Sequence, residues 1–147
     1  MKVTIRQTKR LILINELNNR PEFFPEDPIT NIANHIWFIA KVGRQVIGWA
    51  GMTIRPHAVA SIYRTGVIEE FRGMGLKRKL VRAMEREALK RGCTMMTSYC
   101  ATDNAQSANS LIRSGYQIYW PEFVWLDGAW IYWRKRLTSK PKKKRKR

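Results

Sequence analysis

The sequence predicts a mixed α/β fold, and three observations predict it. Short β-branched and aromatic runs alternate with segments of helical periodicity. Two long apolar runs, 36–42 and 45–54, are separated by Gly43-Arg44, a hairpin signal. Further on, a strand runs through a glycine-bearing turn into a helix and then another strand, the pattern of a βαβ step. The expected order is β-α-α-β-β-β-α-β-α-β-β, a mixed sheet of about seven strands with helices on both faces.

Each element has its own reason. Val3 and Ile5 alternate within a short strand over 1–6, and Leu11, Leu13, Ile14 and Leu17 recur at helical spacing. Pro21, Pro25 and Pro28 forbid a long helix after that, leaving room for a second short one over about 29–35. The hairpin follows, then a turn at Pro56-His57 and a strand from about Ala60 to Ile68. The strongest helix signal begins near Gly75. Leu76, Leu80, Val81, Met84 and Ala88 form its apolar stripe, Lys77, Arg78, Arg82, Glu85 and Arg86 are expected to face water, and Gly92 stops it. A strand over 94–101, a helix over 105–114 stopped at Gly115, and strands near 116–120 and 129–137 complete the domain, expected over 1–137.

Of the 147 residues, 44% are hydrophobic, enough for one core. No apolar run approaches the ~20 residues of a membrane span. The start lacks the small-residue cleavage site of a secretory signal, so a soluble, cytoplasmic protein is expected. Cys93 and Cys100 read as buried reduced thiols, and with only two histidines no metal site is expected. The formal net charge of +17 is the unusual feature. A field of that sign attracts nucleic acid, acidic proteins and polyanionic cofactors alike.

The segment richest in chemical signal runs from Val67 and Ile68 through Glu69, Glu70 and Phe71 to Arg72-Gly73-Met74-Gly75-Leu76-Lys77. Free amides and the dipole at a helix start favour phosphate, and Gly73 and Gly75 let a ligand approach the backbone. The segment lacks the Lys-Ser/Thr of a P-loop and the third glycine of a dinucleotide fingerprint.

Arg72-Gly73-Met74-Gly75 resembles the Arg/Gln-x-x-Gly-x-Gly/Ala signature of GNAT acetyltransferases, and residues 104–116, from Asn104 to Gly115-Tyr116, resemble that family's second motif. The resemblance implies the GNAT fold and N-acetyl transfer from acetyl-CoA to a primary amine by direct attack in a ternary complex. It implies that Arg72, Gly73, Met74, Gly75, Leu76 and Lys77 hold the pyrophosphate. It further implies that backbone amides around Val67 and Ile68 polarise the thioester carbonyl, and that Asn104 and Ser107 steady the pantetheine arm. Lys77 stands where the family has Gly or Ala, and its charge opposes the helix dipole unless an anion offsets it. Leu111 stands where many members place a proton-donating tyrosine.

A base is less legible. The family often has a Glu on the strand before the phosphate turn, where this chain has Ser61. Alternation puts Ser61, Tyr63, Thr65 and Val67 on one face. Tyr63 alone there has useful acid/base chemistry, although a half-buried strand tyrosine explains it as well. His57 is an alternative base or a plain turn residue, and Glu69 and Glu70 read as solvated carboxylates. Trp120, Trp125, Trp130 and Trp133, with Glu122 and Asp127, fall where the family borders its acceptor groove. They suit a cationic amine, or simply pack.

The segment 138–147 ends in Lys140-Pro141-Lys142-Lys143-Lys144-Arg145-Lys146-Arg147 and is expected to be a disordered basic tail. It reads as a nuclear-targeting signal, a nucleic-acid anchor or an appended segment. The alternative to an active enzyme is a catalytically weak CoA-fold protein that binds nucleic acid or an acidic partner through this charge.

Overall fold

A computed structural model describes residues 1–122, 124, 126 and 128–138. The expected basic tail from Ser139 onward, and the groove candidates Trp125 and Asp127, lie outside the described residues. The elements are β1 (Val3–Thr8), α1 (Leu11–Asn18), β2 (Ile36–Val42), β3 (Gln45–Arg55), β4 (Val59–Val67), α2 (Leu76–Lys90), β5 (Met95–Ala101), α3 (Ala105–Arg113), β6 (Gln117–Tyr119) and β7 (Trp130–Arg136). They form one sheet in the order β1-β2-β3-β4-β5-β7-β6.

The expected hairpin forms: β2 and β3 pair antiparallel across Gly43-Arg44, with Gly43 at φ +57°. β1 and β4 add antiparallel on either side, and α2 crosses back so that β5 lies parallel to β4. On one face, Ile14 and Leu17 of α1 pack with Trp37, Ile39 and Trp49. On the other, Leu76, Leu80, Val81, Met84 and Ala88 of α2, joined by Leu111 of α3, pack with Phe38, Ala50, Met52 and Ile62. Each fully buried large aliphatic side chain contributes about 1.5–3 kcal/mol. Helices on both faces and the expected apolar stripe of α2 are therefore observed.

Two expectations need correction. The second helix over 29–35 is a single 3-10 turn, Ile32–Asn34, preceded by Asn31 at φ +53°. A left-handed residue there interrupts any continuous α-helix after Pro28. Glu85 does not face water. It is 8% exposed and accepts hydrogen bonds from the Tyr116 hydroxyl at 2.9 Å and Lys135 Nζ at 3.0 Å, tying α2 to β7 and the end of α3. Burial, then the adjacent Glu85 carboxylate, pushes the Tyr116 pKa far up, so the phenol stays a donor. Cys93 and Cys100 are buried and unbridged, as expected. No helix among the described residues is long and apolar enough to cross a membrane.

Candidate functional site

The site begins where the sheet divides. β4 and β5 pair over just three positions, Val59–Met95, Ala60–Met96 and Ser61–Thr97, while β5 pairs with β7 along its whole length. Past Ser61 and Thr97, β4 stays with β3 and β5 with β7, so a gap opens between them. Ser61 closes its narrow end: its buried hydroxyl lies 2.6 Å from Thr97 Oγ1 and accepts from Arg55 Nε at 3.0 Å. That explains why a serine serves here, and it leaves Ser61 no role as a base.

A β-bulge sits on the gap's β4 wall. Gly51 pairs with Arg64 and Met52 with Ile62, which leaves Tyr63 as the extra residue. The bulge overturns the alternation expected for Ser61, Tyr63, Thr65 and Val67. Tyr63 and Arg64, adjacent in sequence, both turn to the α1 face, whereas Val67 packs into the α2 core. Tyr63 therefore does not share a face with Val67.

The backbone of β4 divides its donors in the same way. Ile68 N–H donates to Ile47 O at 2.9 Å, which makes Ile68 and Ile47 a hydrogen-bonded pair and the neighbouring Val67–Gly48 pair a non-hydrogen-bonded one. Val67 N–H and C=O consequently point away from β3, towards the gap, as do those of Thr65. The Val67 carbonyl accepts from Arg72 Nε at 3.0 Å. Of the two amides singled out on the sequence, that of Ile68 is bonded within the sheet, and that of Thr65 faces the gap beside that of Val67.

At the end of β4 lies the phosphate-type turn. Glu69, Glu70 and Phe71 form a 3-10 turn with both glutamates exposed, and Gly73 and Gly75 follow at φ +81° and +76°. A Cβ at either glycine would meet no atom within 4 Å, so the space before the turn is open, yet the backbone conformation resists any L side chain. Gly75 caps α2 without a side-chain hydrogen bond, and the first turn holds no acid. The helix start is left with orphan N–H groups and with Lys77 and Arg78. Leu76 contributes only backbone there, its side chain being 2% exposed in the core, while Met74 is exposed.

Lys77 departs from the expected solvated position. Its ammonium donates to Ser107 Oγ at 3.3 Å, bridging the starts of α2 and α3, and burial lowers its pKa. Asn104 caps α3 by accepting from Ser107 N–H at 3.0 Å, and Leu111 lies buried in the α2 core. Among the described residues no carboxylate pairs with Lys77, so an anion at the turn is a natural complement.

On the α1 face the bulge is held by a network the sequence did not reveal. His35 stacks on Tyr63 at 4.2 Å between centroids and 12° between planes. Its Nε2 lies 3.0 Å from the Thr30 carbonyl, which only accepts, so Nε2 carries the proton and Nδ1 accepts from Thr53 Oγ1 at 3.1 Å. Both nitrogens are engaged and burial lowers the His35 pKa, which makes His35 a positioning residue. The Arg64 guanidinium lies 4.8 Å from the Phe24 centroid and 4.9 Å from that of Tyr63. It donates to Asn18 Oδ1 and Asp27 O, each at 2.6 Å, and pairs with the Asp27 carboxylate at 2.7 Å. Across the gap Tyr99 stands edge-on to Trp130 at 5.6 Å. Burial raises the Tyr99 pKa, with Tyr63 adding to the effect.

The remaining candidates separate. His57 is exposed at φ +66° in the turn before β4, at the opposite end of that strand from Gly73 and Gly75, and is not part of the site. Of the candidate groove tryptophans, the described ones, Trp120, Trp130 and Trp133, do not share one face. Period-two alternation along β7 puts Trp130 beside Tyr99 and Trp133 in the opposite core, where its Nε1 donates to Cys100 Sγ at 3.2 Å. Trp120 is 80% exposed, and Glu122 is exposed too. No cluster among the described residues could hold a metal ion.

Comparison with known proteins decides what this geometry belongs to. The sequence model of the acetyltransferase (GNAT) family matches residues 10–116. The chain belongs to that family. It is an acyltransferase, and the split sheet, the bulge and the glycine turn sit on the family's scaffold. Among solved structures it is similar to the ribosomal-protein-S18-alanine N-acetyltransferase from Escherichia coli, at 15% identity and TM-score 0.71, covering 97% of this chain and 98% of that one. It is also similar to a Bacillus subtilis acetyltransferase solved in complex with CoA, at 14% identity and TM-score 0.72, covering 93% and 100%. A GNAT acetyltransferase from Staphylococcus aureus matches at 13% identity and TM-score 0.74, over 93% and 100%. At such identities the likeness concerns the fold.

Proposed function

We propose that residues 1–137 form an N-acetyltransferase domain that moves an acetyl group from acetyl-CoA to a primary amine by direct attack in a ternary complex. The observation that carries this reading is the gap between β4 and β5, open past Ser61, with a phosphate-type turn at one side and Tyr63 at the other. The residues fit the cofactor: the Gly73 and Gly75 cradle is open, and the α2 start is cationic and uncapped.

When bound, acetyl-CoA supplies an activated acetyl thioester. Arg72, Gly73, Met74, Gly75, Leu76 and Lys77 hold its pyrophosphate through backbone amides and cations, while Asn104 and Ser107 steady the arm. Thr65 and Val67 offer their N–H groups in the gap to a carbonyl oxygen, where fixed donors are worth most. Tyr63, oriented by His35, relays the amine proton to water, its phenolic oxygen accepting that proton as its own O–H passes to a water molecule. Leu111 donates no proton, so departure of the thiol is not assisted from α3. The acceptor approaches from the α1 face, between Tyr63 and the Tyr99–Trp130 pair.

Release of free thiol from acetyl-CoA, measured against a panel of primary amines, tests the proposal. Amine-dependent release is expected, with Tyr63→Phe lowering kcat roughly 100-fold and sparing acetyl-CoA affinity. Retained CoA binding without amine-dependent release would favour the catalytically weak binding protein that Leu111 motivates.

A further inference from the structure

Every fully exposed residue of α2 is a cation: Arg78, Lys79, Arg82, Arg86 and Lys90. Both acids of the helix are withdrawn. Glu85 is buried against Tyr116 and Lys135, and Glu87 pairs with Arg91 at 3.1 Å. Arg78, Arg82, Arg86 and Lys90 recur every four residues and form a row about 18 Å long at 1.5 Å per residue. Like charges at this spacing oppose helix formation, and a merely solvated face mixes its signs. The glycine turn does not account for the row, since Arg86 and Lys90 lie about 15 and 21 Å along the axis from Leu76.

We propose that this row on α2 is a sequence-independent docking surface for the phosphate backbone of a nucleic acid duplex. No exposed apolar or aromatic residue stands on α2 to anchor a protein partner, and such anchors carry most protein–protein affinity. A duplex presents one charge per ~1.7 Å of axis, so about ten over the length of the row. Three of the four cations are arginines, whose planar fork matches phosphate oxygens. With a net charge of +17 the whole chain is steered to the same ligand.

Fluorescence anisotropy of a labelled random-sequence duplex of about 20 base pairs, titrated with the full chain over a range of salt, tests this. The variant Arg82→Gln/Arg86→Gln/Lys90→Gln should lower the log–log salt slope by about 2.7, at 0.9 per phosphate contact. It should weaken low-salt binding at least tenfold, with acetyl-CoA affinity unchanged and melting temperature no lower than that of the wild type. A second full-length variant, Lys142→Gln/Lys143→Gln/Lys144→Gln, should keep the share of the slope that the first one loses. Wild-type slope and affinity in the α2 variant would overturn the proposal, as would loss of all binding in the second variant. Tighter binding of polyglutamate than of a duplex of equal charge would overturn it in favour of an acidic protein.

Discussion

Tyr63 and Arg64 are consecutive residues on one strand that point to the same side of the sheet, and much of the site's geometry follows from that. The bulge turns the phenol to the α1 face and lets Thr65 and Val67 direct their amides into the gap. Alternation counted on the sequence breaks at such a point, because one inserted residue flips every side chain after it. His35 was invisible for a different reason. Its stacking on Tyr63 joins residues 28 positions apart and depends on the Asn31 turn. Burial keeps His35 neutral with its pKa below 6.5, so just under that pH the unfolded chain binds more protons than the folded one. Stability is therefore complete above 6.5 and declines as pH falls through the range between the two values. Urea midpoints taken across this range should fall for the wild type, and His35→Gln should flatten that limb.

At the scale of elements, the strand–turn–helix step was legible because its signals are local. The two glycines at positive φ, the apolar stripe of α2 and the Asn104 cap all lie within a few residues of their partners in sequence. The role of Glu85 was not legible, since its partners arrive from Tyr116 and Lys135. A charged residue on an amphipathic helix reads as solvated until the tertiary partners are known. Glu85→Ala would strip a buried phenol and a partly buried ammonium of their acceptor. It should cost about 2–3 kcal/mol in urea denaturation, with acetyl-CoA affinity little changed because the turn at Gly73 and Gly75 is left intact. A cost below about 0.5 kcal/mol, the scale of an ordinary surface substitution, would show that the three-residue link is incidental.

For the whole molecule, the split sheet separates two environments. The α1 face gathers His35, Tyr63, Arg64, Tyr99 and Trp130 around the gap, while the α2 face is cationic along its exposed length. On the proposed function, the pyrophosphate of acetyl-CoA sits at the start of α2 and its acetyl group in the gap. Titration calorimetry of the full chain with acetyl-CoA, alongside Gly75→Glu, tests this account most directly. Gly75 holds φ +76°, so any side chain there costs about 1–2 kcal/mol of backbone strain, and a carboxylate adds repulsion to phosphate. Saturable binding by the wild type, weakened at least 100-fold in a folded Gly75→Glu variant, is the predicted result. No wild-type binding, or binding that Gly75→Glu leaves unchanged, would contradict it.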